Sequence, residues 1–240
     1  MIRKIQNNTI EAWRLMSAAK RIAMIQPAID DIVLSIQKNA KLSQDAPKAK
    51  RLLDQMMINA KSLDDAQRLT GATGESNEWY VSARGKTLVM AGKNADFLAV
   101  LGQLISALIT GNEVILHCPV INGVDFDEFS AKIVAELHSA GVPDAVLIFD
   151  NNSQIDDLLS QNFMQVAVSA DIQEVLAISA NLAKLDEALV QVIAATNGND
   201  LIAMLAPDYL YRFVTERVKT VNTTAIGGNA SLLELATLSP

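Results

Sequence analysis

The sequence predicts an α/β chain in which a doubly wound parallel sheet follows an N-terminal helical segment. Three features predict it. Short, continuously apolar runs recur from residue 86 onward, each followed by a stretch with helical spacing. The first 70 residues carry helical periodicity and no comparable strand run. Half of the 240 residues are apolar, enough to cover both faces of such a sheet.

In the helical segment, Ile22, Ile25, Ile29, Ile32 and Ile36 alternate in spacings of three and four, which stacks them on one helix face. Pro27 lies inside this pattern, so the helix is kinked or two helices meet there. Residues 43–47 form a break, with Pro47 near the start of the next helix. That helix carries Leu52, Met56, Ala60 and Leu63 inward. Met16, Met24, Met56 and Met57 read as core gap-fillers.

Beyond residue 77 the pattern alternates. Residues 78–83 are extended and 86–91 form a buried strand. A helix with Phe97, Leu98, Leu101, Leu104, Ile105 and Leu108 follows. Further strands are expected at 114–116, 145–149, 164–168 and 189–194. Helices lie between them, around Phe129–Leu137, at 155–159 and at 171–185. A helical turn at 209–214 precedes a candidate sixth strand at 217–222. Right-handed crossovers make an open doubly wound sheet the natural closure. The periodicity does not give the order of the strands.

Composition narrows the function. A net charge of −7 argues against a general nucleic-acid binder, which needs clustered Lys and Arg. One cysteine forms no internal disulfide and no Cys-based zinc site, and two histidines 21 residues apart make no metal centre. No apolar run reaches membrane-spanning length and the N-terminus has no secretory pattern. A cytoplasmic protein without membrane insertion is expected.

The candidate sites are sparse. Neither GxGxxG nor a Walker lysine motif occurs. The carboxyl ends of the strands offer a degenerate crevice instead: Gly92 after the first, His117 at the second, Ser169 at the fourth. Asp171 reads as a helix N-cap. Cys118, beside His117, reads as a small residue closing a strand, since neighbours on an extended chain face opposite ways. His138 sits where a helix C-terminus favours a cation. No catalytic residues and no metal ligands are assigned, and no cofactor is expected. Two glycine clusters, 71–78 and 222–232, read either as loops or as backbone ligand or assembly elements.

Those clusters carry a resemblance. Thr70-Gly71-Ala72-Thr73-Gly74-Glu75-Ser76-Asn77-Glu78, followed by Ala83-Arg84-Gly85, resembles the segment entering the aldehyde-dehydrogenase module of the proline utilization A family. Val221-Asn222-Thr223-Thr224-Ala225-Ile226-Gly227-Gly228-Asn229-Ala230-Ser231-Leu232 resembles that family's C-terminal signature. Ala12-Trp13 with Ala18-Ala19-Lys20-Arg21, residues 107–116, and Ala140-Gly141-Val142-Pro143 resemble aldehyde-dehydrogenase elements too. The resemblance implies a Rossmann-like domain with a short β-flap and C-terminal extension. It divides the chain into a helical segment 1–70, a flap 71–85, an α/β domain 86–221 and a signature tail 222–240, together expected to form one compact unit.

In the resembled enzymes a catalytic domain follows the cofactor domain. Here little more than one helix separates Val168-Ser169-Ala170 from the fifth strand. Cys118 matches the family's cofactor-strand end and not its nucleophile, His117 falls near its ribose-binding lysine, and Ser169-Ala170 replaces its phosphate-loop glycine. The expectation is a non-catalytic, aldehyde-dehydrogenase-like assembly protein related to the pyrroline-5-carboxylate to glutamate step of proline catabolism. Its partners would be a second copy of itself and/or a proline-oxidising enzyme. The residues implied in interaction are Gly74, Glu75, Asn77, Asn222, Gly227, Gly228 and Asn229. The alternatives are an NAD-dependent 1-pyrroline-5-carboxylate dehydrogenase, with NAD as cofactor, and a nucleotide-binding module without catalysis.

Overall fold

A computed structural model describes residues 2–118, 126–186, 188–196 and 200–222. Two helices open the chain, α1 (Ile2–Leu15) and α2 (Ala18–Lys38), with the Ser17 side chain accepting from the Lys20 N–H at the start of α2. The helix runs unbroken through Pro27. The ring and the Ala23 carbonyl it leaves without a donor are both on the exposed side, where water can serve that carbonyl. Ile25, Ile29, Ile32 and Ile36 are fully buried on the opposite side. A 3-10 turn (Ser43–Asp45) leads into α3 (Ala46–Asn59), and a second (Ala60–Asp64) ends the helical layer.

The parallel sheet contains β3 (Thr87–Ala91), β4 (Val114–His117), β5 (Leu147–Phe149), β6 (Gln165–Ser169) and β7 (Gln191–Ala195), in the order β5-β4-β3-β6-β7. The first of these strands is therefore central. The chain winds outward to one edge, returns past β3, and winds to the other. Helices α4 (Phe97–Ile109) and α5 (Phe126–Ser139) cover one face; α6 (Ile155–Leu159) and α7 (Ile172–Leu182) cover the other. Alternate residues of β3 divide accordingly: Val89 and Ala91 join the core with α4, while Leu88 and Met90 join the core with α7. The doubly wound, Rossmann-like architecture is the one the sequence predicts.

Every residue of α4 is buried, because the sheet lies beneath it and α2 and α3 lie above. Its mid-helix Gln103 is accommodated by donating from Nε2 to the carbonyls of Ile193 (3.0 Å) and Val168 (3.4 Å).

The candidate sixth strand does not join this sheet. It begins earlier, as β8 (Val214–Asn222), and pairs antiparallel with β2 (Glu75–Ala83) over all nine residues. A third strand, β1 (Gln67–Leu69), pairs with the other edge of β2 and was not signalled by any apolar run. The sequence Val-Thr-Glu-Arg-Val-Lys-Thr-Val-Asn is too charged for a sheet buried on both faces, which explains the separate flap. The short helix α8 (Asp200–Met204) and a 3-10 turn (Tyr209–Phe213) connect β7 to β8.

One turn joins the three parts. After α4, Gly111 takes φ 91° and turns the chain toward β4. Asn112, fully buried, accepts from the Gly85 N–H (2.8 Å) and donates to the carbonyls of Phe213 (3.0 Å) and Ala107 (3.2 Å). It thereby ties both flap strands to the end of α4. Arg21 of α2 donates through Nε to the Ile109 carbonyl (2.8 Å) and through Nη1 to the carbonyls of Trp13 (3.1 Å) and Met16, closing α1 and α4 together. Burial lowers its pKa to about 10. A Cβ at residue 111 would lie 3.0 Å from that guanidinium, so glycine is needed for both space and backbone.

Replacing Asn112 with Ala strands a buried N–H and buried carbonyls. Urea unfolding should show a loss of about 2–3 kcal/mol, well beyond a typical surface substitution.

Candidate functional site

The carboxyl ends of β3 and β4 open into a crevice of about 410 Å³ on the α6/α7 side of the sheet. This is where a doubly wound sheet leaves space, since the crossovers on either side of β3 depart in opposite directions. Gly92, Lys93, His117, Asn151, Ser153 and Glu174 contribute to its lining.

The turn from β3 into α4 is held from below by β6. The Gly92 N–H donates to the Ser169 carbonyl at 2.8 Å, and the Asp96 N–H donates to the Ser169 hydroxyl at 3.0 Å. Asp96 in turn caps α4 through the Leu98 N–H (2.8 Å). Ser169 is thus a buried brace beneath the crevice, while Gly92 and His117 line it.

Two acidic groups from the start of α7 complete the turn. Asp171 stands at the N-cap position, as expected, but makes no side-chain cap; its carboxylate accepts from Asn94 Nδ2 at 2.9 and 3.0 Å. Asn94, at φ 56°, presents that amide from a left-handed turn. Glu174 Oε2 accepts the Lys93 N–H at 2.6 Å. A Cβ on Gly92 would sit 2.6–2.7 Å from all three carboxyl atoms of Glu174, so the side chain lies directly against the glycine. At this place in such folds, backbone N–H groups commonly meet a ligand's phosphate. Here the N–H of Lys93 already holds a carboxylate of the protein.

The other wall is built after β5. Asp150 accepts from the Ser153 hydroxyl (2.7 Å) and from the N–H groups of Ser153 and Asn152 (3.0 Å each), which hold its carboxyl below the ordinary value. Its backbone carbonyl lies 2.7 Å from His117 Nδ1. A carbonyl can only accept, so Nδ1 carries the proton. Asn151 bonds the Cys118 backbone in both directions, its Oδ1 accepting at 2.7 Å and its Nδ2 donating at 3.1 Å. Cys118 is 1% exposed and packs in the α4 core, while His117 lines the crevice, so the two side chains part as the strand geometry requires.

Sequence reasoning did not single out Glu174, Asp150 or Asn151. The run Asp150-Asn151-Asn152-Ser153 has turn composition, and a carboxylate in the first turn of a helix is a usable signal. Neither reveals which backbone N–H a side chain will reach.

His138, in the last turn of α5, sets Nδ1 2.8 Å from the Val142 carbonyl and 3.3 Å from Asp144. The flap brings four of the implied interaction residues to one end. Gly74 (φ 88°) turns the chain into β2, Glu75 pairs with Asn222, and Asn77 pairs with Leu69 and Thr220. Gly227, Gly228 and Asn229 lie outside the described residues. Among the described residues, no group of three His, Cys, Asp or Glu is placed to hold a metal ion, and no helix is long and apolar enough to cross a membrane.

No protein-family model matches the chain. It is 29% identical over 167 residues to the bifunctional protein PutA of Escherichia coli, a match covering 70% of this chain and 11% of that one. It is 26% identical over 167 residues to 1-pyrroline-5-carboxylate dehydrogenase of Bacillus pumilus, covering 62% of this chain and 31% of the other. A crystal structure of a proline utilization A variant from Bradyrhizobium japonicum shares the fold at a TM-score of 0.66 and 22% identity, over 79% of this chain and 21% of that one. The chain therefore spans a small part of the length of the proteins it matches.

Because Cys118 is entombed, Ellman's reagent should modify it at least about a hundredfold more slowly in buffer than in denaturant. Stopped-flow absorbance measures both rates.

Proposed function

From its relationship to proline utilization A within the aldehyde dehydrogenase superfamily, we propose that this chain is a non-catalytic, dehydrogenase-like assembly module of proline catabolism. It would support the pyrroline-5-carboxylate to glutamate step by binding a second copy of itself or a proline-oxidising enzyme. The observation that carries this reading is the Glu174 carboxylate, which lies against Gly92 and takes the Lys93 N–H. A dinucleotide's phosphates would meet like charge there. Two further features support it. The chain's one cysteine is buried at a strand end, and the path from β7 to β8 takes only residues 196–213, too few for an inserted catalytic domain.

The flap supplies a surface for association. β8 is an edge strand of nine residues, and from Glu216 to Thr220 it is exposed throughout. Its outer row of backbone groups is a template for another strand. Val218, 56% exposed at the middle of that strand, adds an apolar contact.

A nucleotide-binding reading draws on the crevice itself, with its volume of about 410 Å³ and its His117 and Lys93 lining. Calorimetry with NAD at millimolar concentration separates the two: a saturable heat favours nucleotide binding. NADH production from glutamate semialdehyde that Cys118→Ala abolishes would replace both with the dehydrogenase.

Sedimentation velocity should show self-association, or co-sedimentation with a proline-oxidising enzyme. Val218→Asp should weaken that association about tenfold or more while moving the melting temperature by no more than about 2 °C. A strict monomer that binds no such enzyme refutes the assembly role.

A further inference from the structure

Between the start of α2 and the flap lies a second cavity, of about 440 Å³, which shares no lining residue with the crevice. Arg21 lines it, together with Arg14, Leu15, Leu63, Asp64 and Val81 among others. Arg21 is 5% exposed. Its Nε and Nη1 are engaged by the carbonyls of Ile109, Trp13 and Met16, and its Nη2 has no hydrogen-bond partner among the described residues. The guanidinium's direct hydrogen-bond partners are all neutral carbonyls, and the nearby Asp64 charge offsets only part of the cost of its burial.

The other charges at the cavity are already committed. Both oxygens of Asp64 accept from the first turn of α2, at 2.6 Å from the Ala18 N–H and 2.9 Å from the Ala19 N–H. Arg14 holds Glu11 through two bonds of 2.8 Å. The Arg21 Nη2 edge is therefore an open donor on a buried side chain of the cavity, and Leu15, Leu63 and Val81 give the space around it an apolar wall.

We propose that this helix–flap cavity binds a small organic monocarboxylate, its carboxylate on Arg21 Nη2 and its apolar body against Leu15, Leu63 and Val81. One oxygen would accept an Nη2 N–H and the alkyl portion would displace water from the leucine and valine side chains. Since Tyr80–Ala83 of β2 form part of the same wall, a bound carboxylate would also fasten the flap to the helical layer.

Butyrate is a suitable probe, with butyramide as its uncharged counterpart and sodium chloride at equal ionic strength as the salt control. The buried Trp13, whose carbonyl holds Arg21, gives a fluorescence signal beside the site. Wild-type protein should show saturable quenching or enhancement with butyrate in the millimolar range and a melting-temperature rise of about 2–4 °C, and neither with butyramide or salt. Leu15 is 73% exposed, so its variants should fold. Leu15→Glu should weaken butyrate about tenfold by like charge at the rim, and Leu15→Lys should strengthen it. Equal responses to butyrate and butyramide, no saturable response up to about 50 mM, or indifference to the charge at position 15 would each overturn the proposal.

Discussion

The fold depends on how a helix buried on all sides is brought to an end. A helix in contact with solvent leaves its last carbonyls to water, but the C-terminus of α4 has none to use. The N–H groups of Thr110, Gly111 and Asn112 meet the carbonyls of Ser106, Leu108 and Ala107, and the Ile109 carbonyl is left for a side chain from elsewhere. Arg21 reaches Ile109 from the helical layer, and Asn112 reaches Ala107 from the next turn while holding Gly85 and Phe213 of the flap. Satisfying one helix end thus fixes where the N-terminal helices sit and where the second sheet begins. The same logic requires Gly111, because only a residue without a side chain leaves room for the guanidinium.

Much of this was legible in the sequence. The isoleucine spacing of α2 and the apolar runs of β3, β4 and β6 report burial directly, and burial on both faces of a strand has one common architectural meaning. Strand order was not legible, since all five parallel strands are similarly apolar and nothing local distinguishes the central from the edge position. β1 was missed because three exposed residues carry no burial signal. For β8 the extended character is readable and its partner in the flap is not. Its charges, placed beside the fully buried β3, do distinguish a solvent-facing strand from a core one.

The crevice shows the same division between pattern and placement. Gly92 and His117 stand where strand ends predict, since position along a parallel strand follows from its length. Ser169 comes to the same level but is turned beneath the loop to brace it. Glu174 brings a carboxylate to the site, yet its place there rests on a contact across 81 residues.

The turn after α4 also sets the order in which the molecule can be made. The contact from Arg21 to Ile109 spans 88 residues and that from Asn112 to Phe213 spans 101. Arg21 already waits in the helical layer when Ile109 is made, whereas the Asn112 amide lacks its Phe213 acceptor until the end of the α/β region arrives, with the entropy of a long loop still to be lost. The helical layer and α4 can therefore consolidate first, and the flap docks on the Asn112 turn in a later step. A chain growing from its N-terminus could close α4 against Arg21 well before the residues of β8 had been synthesised.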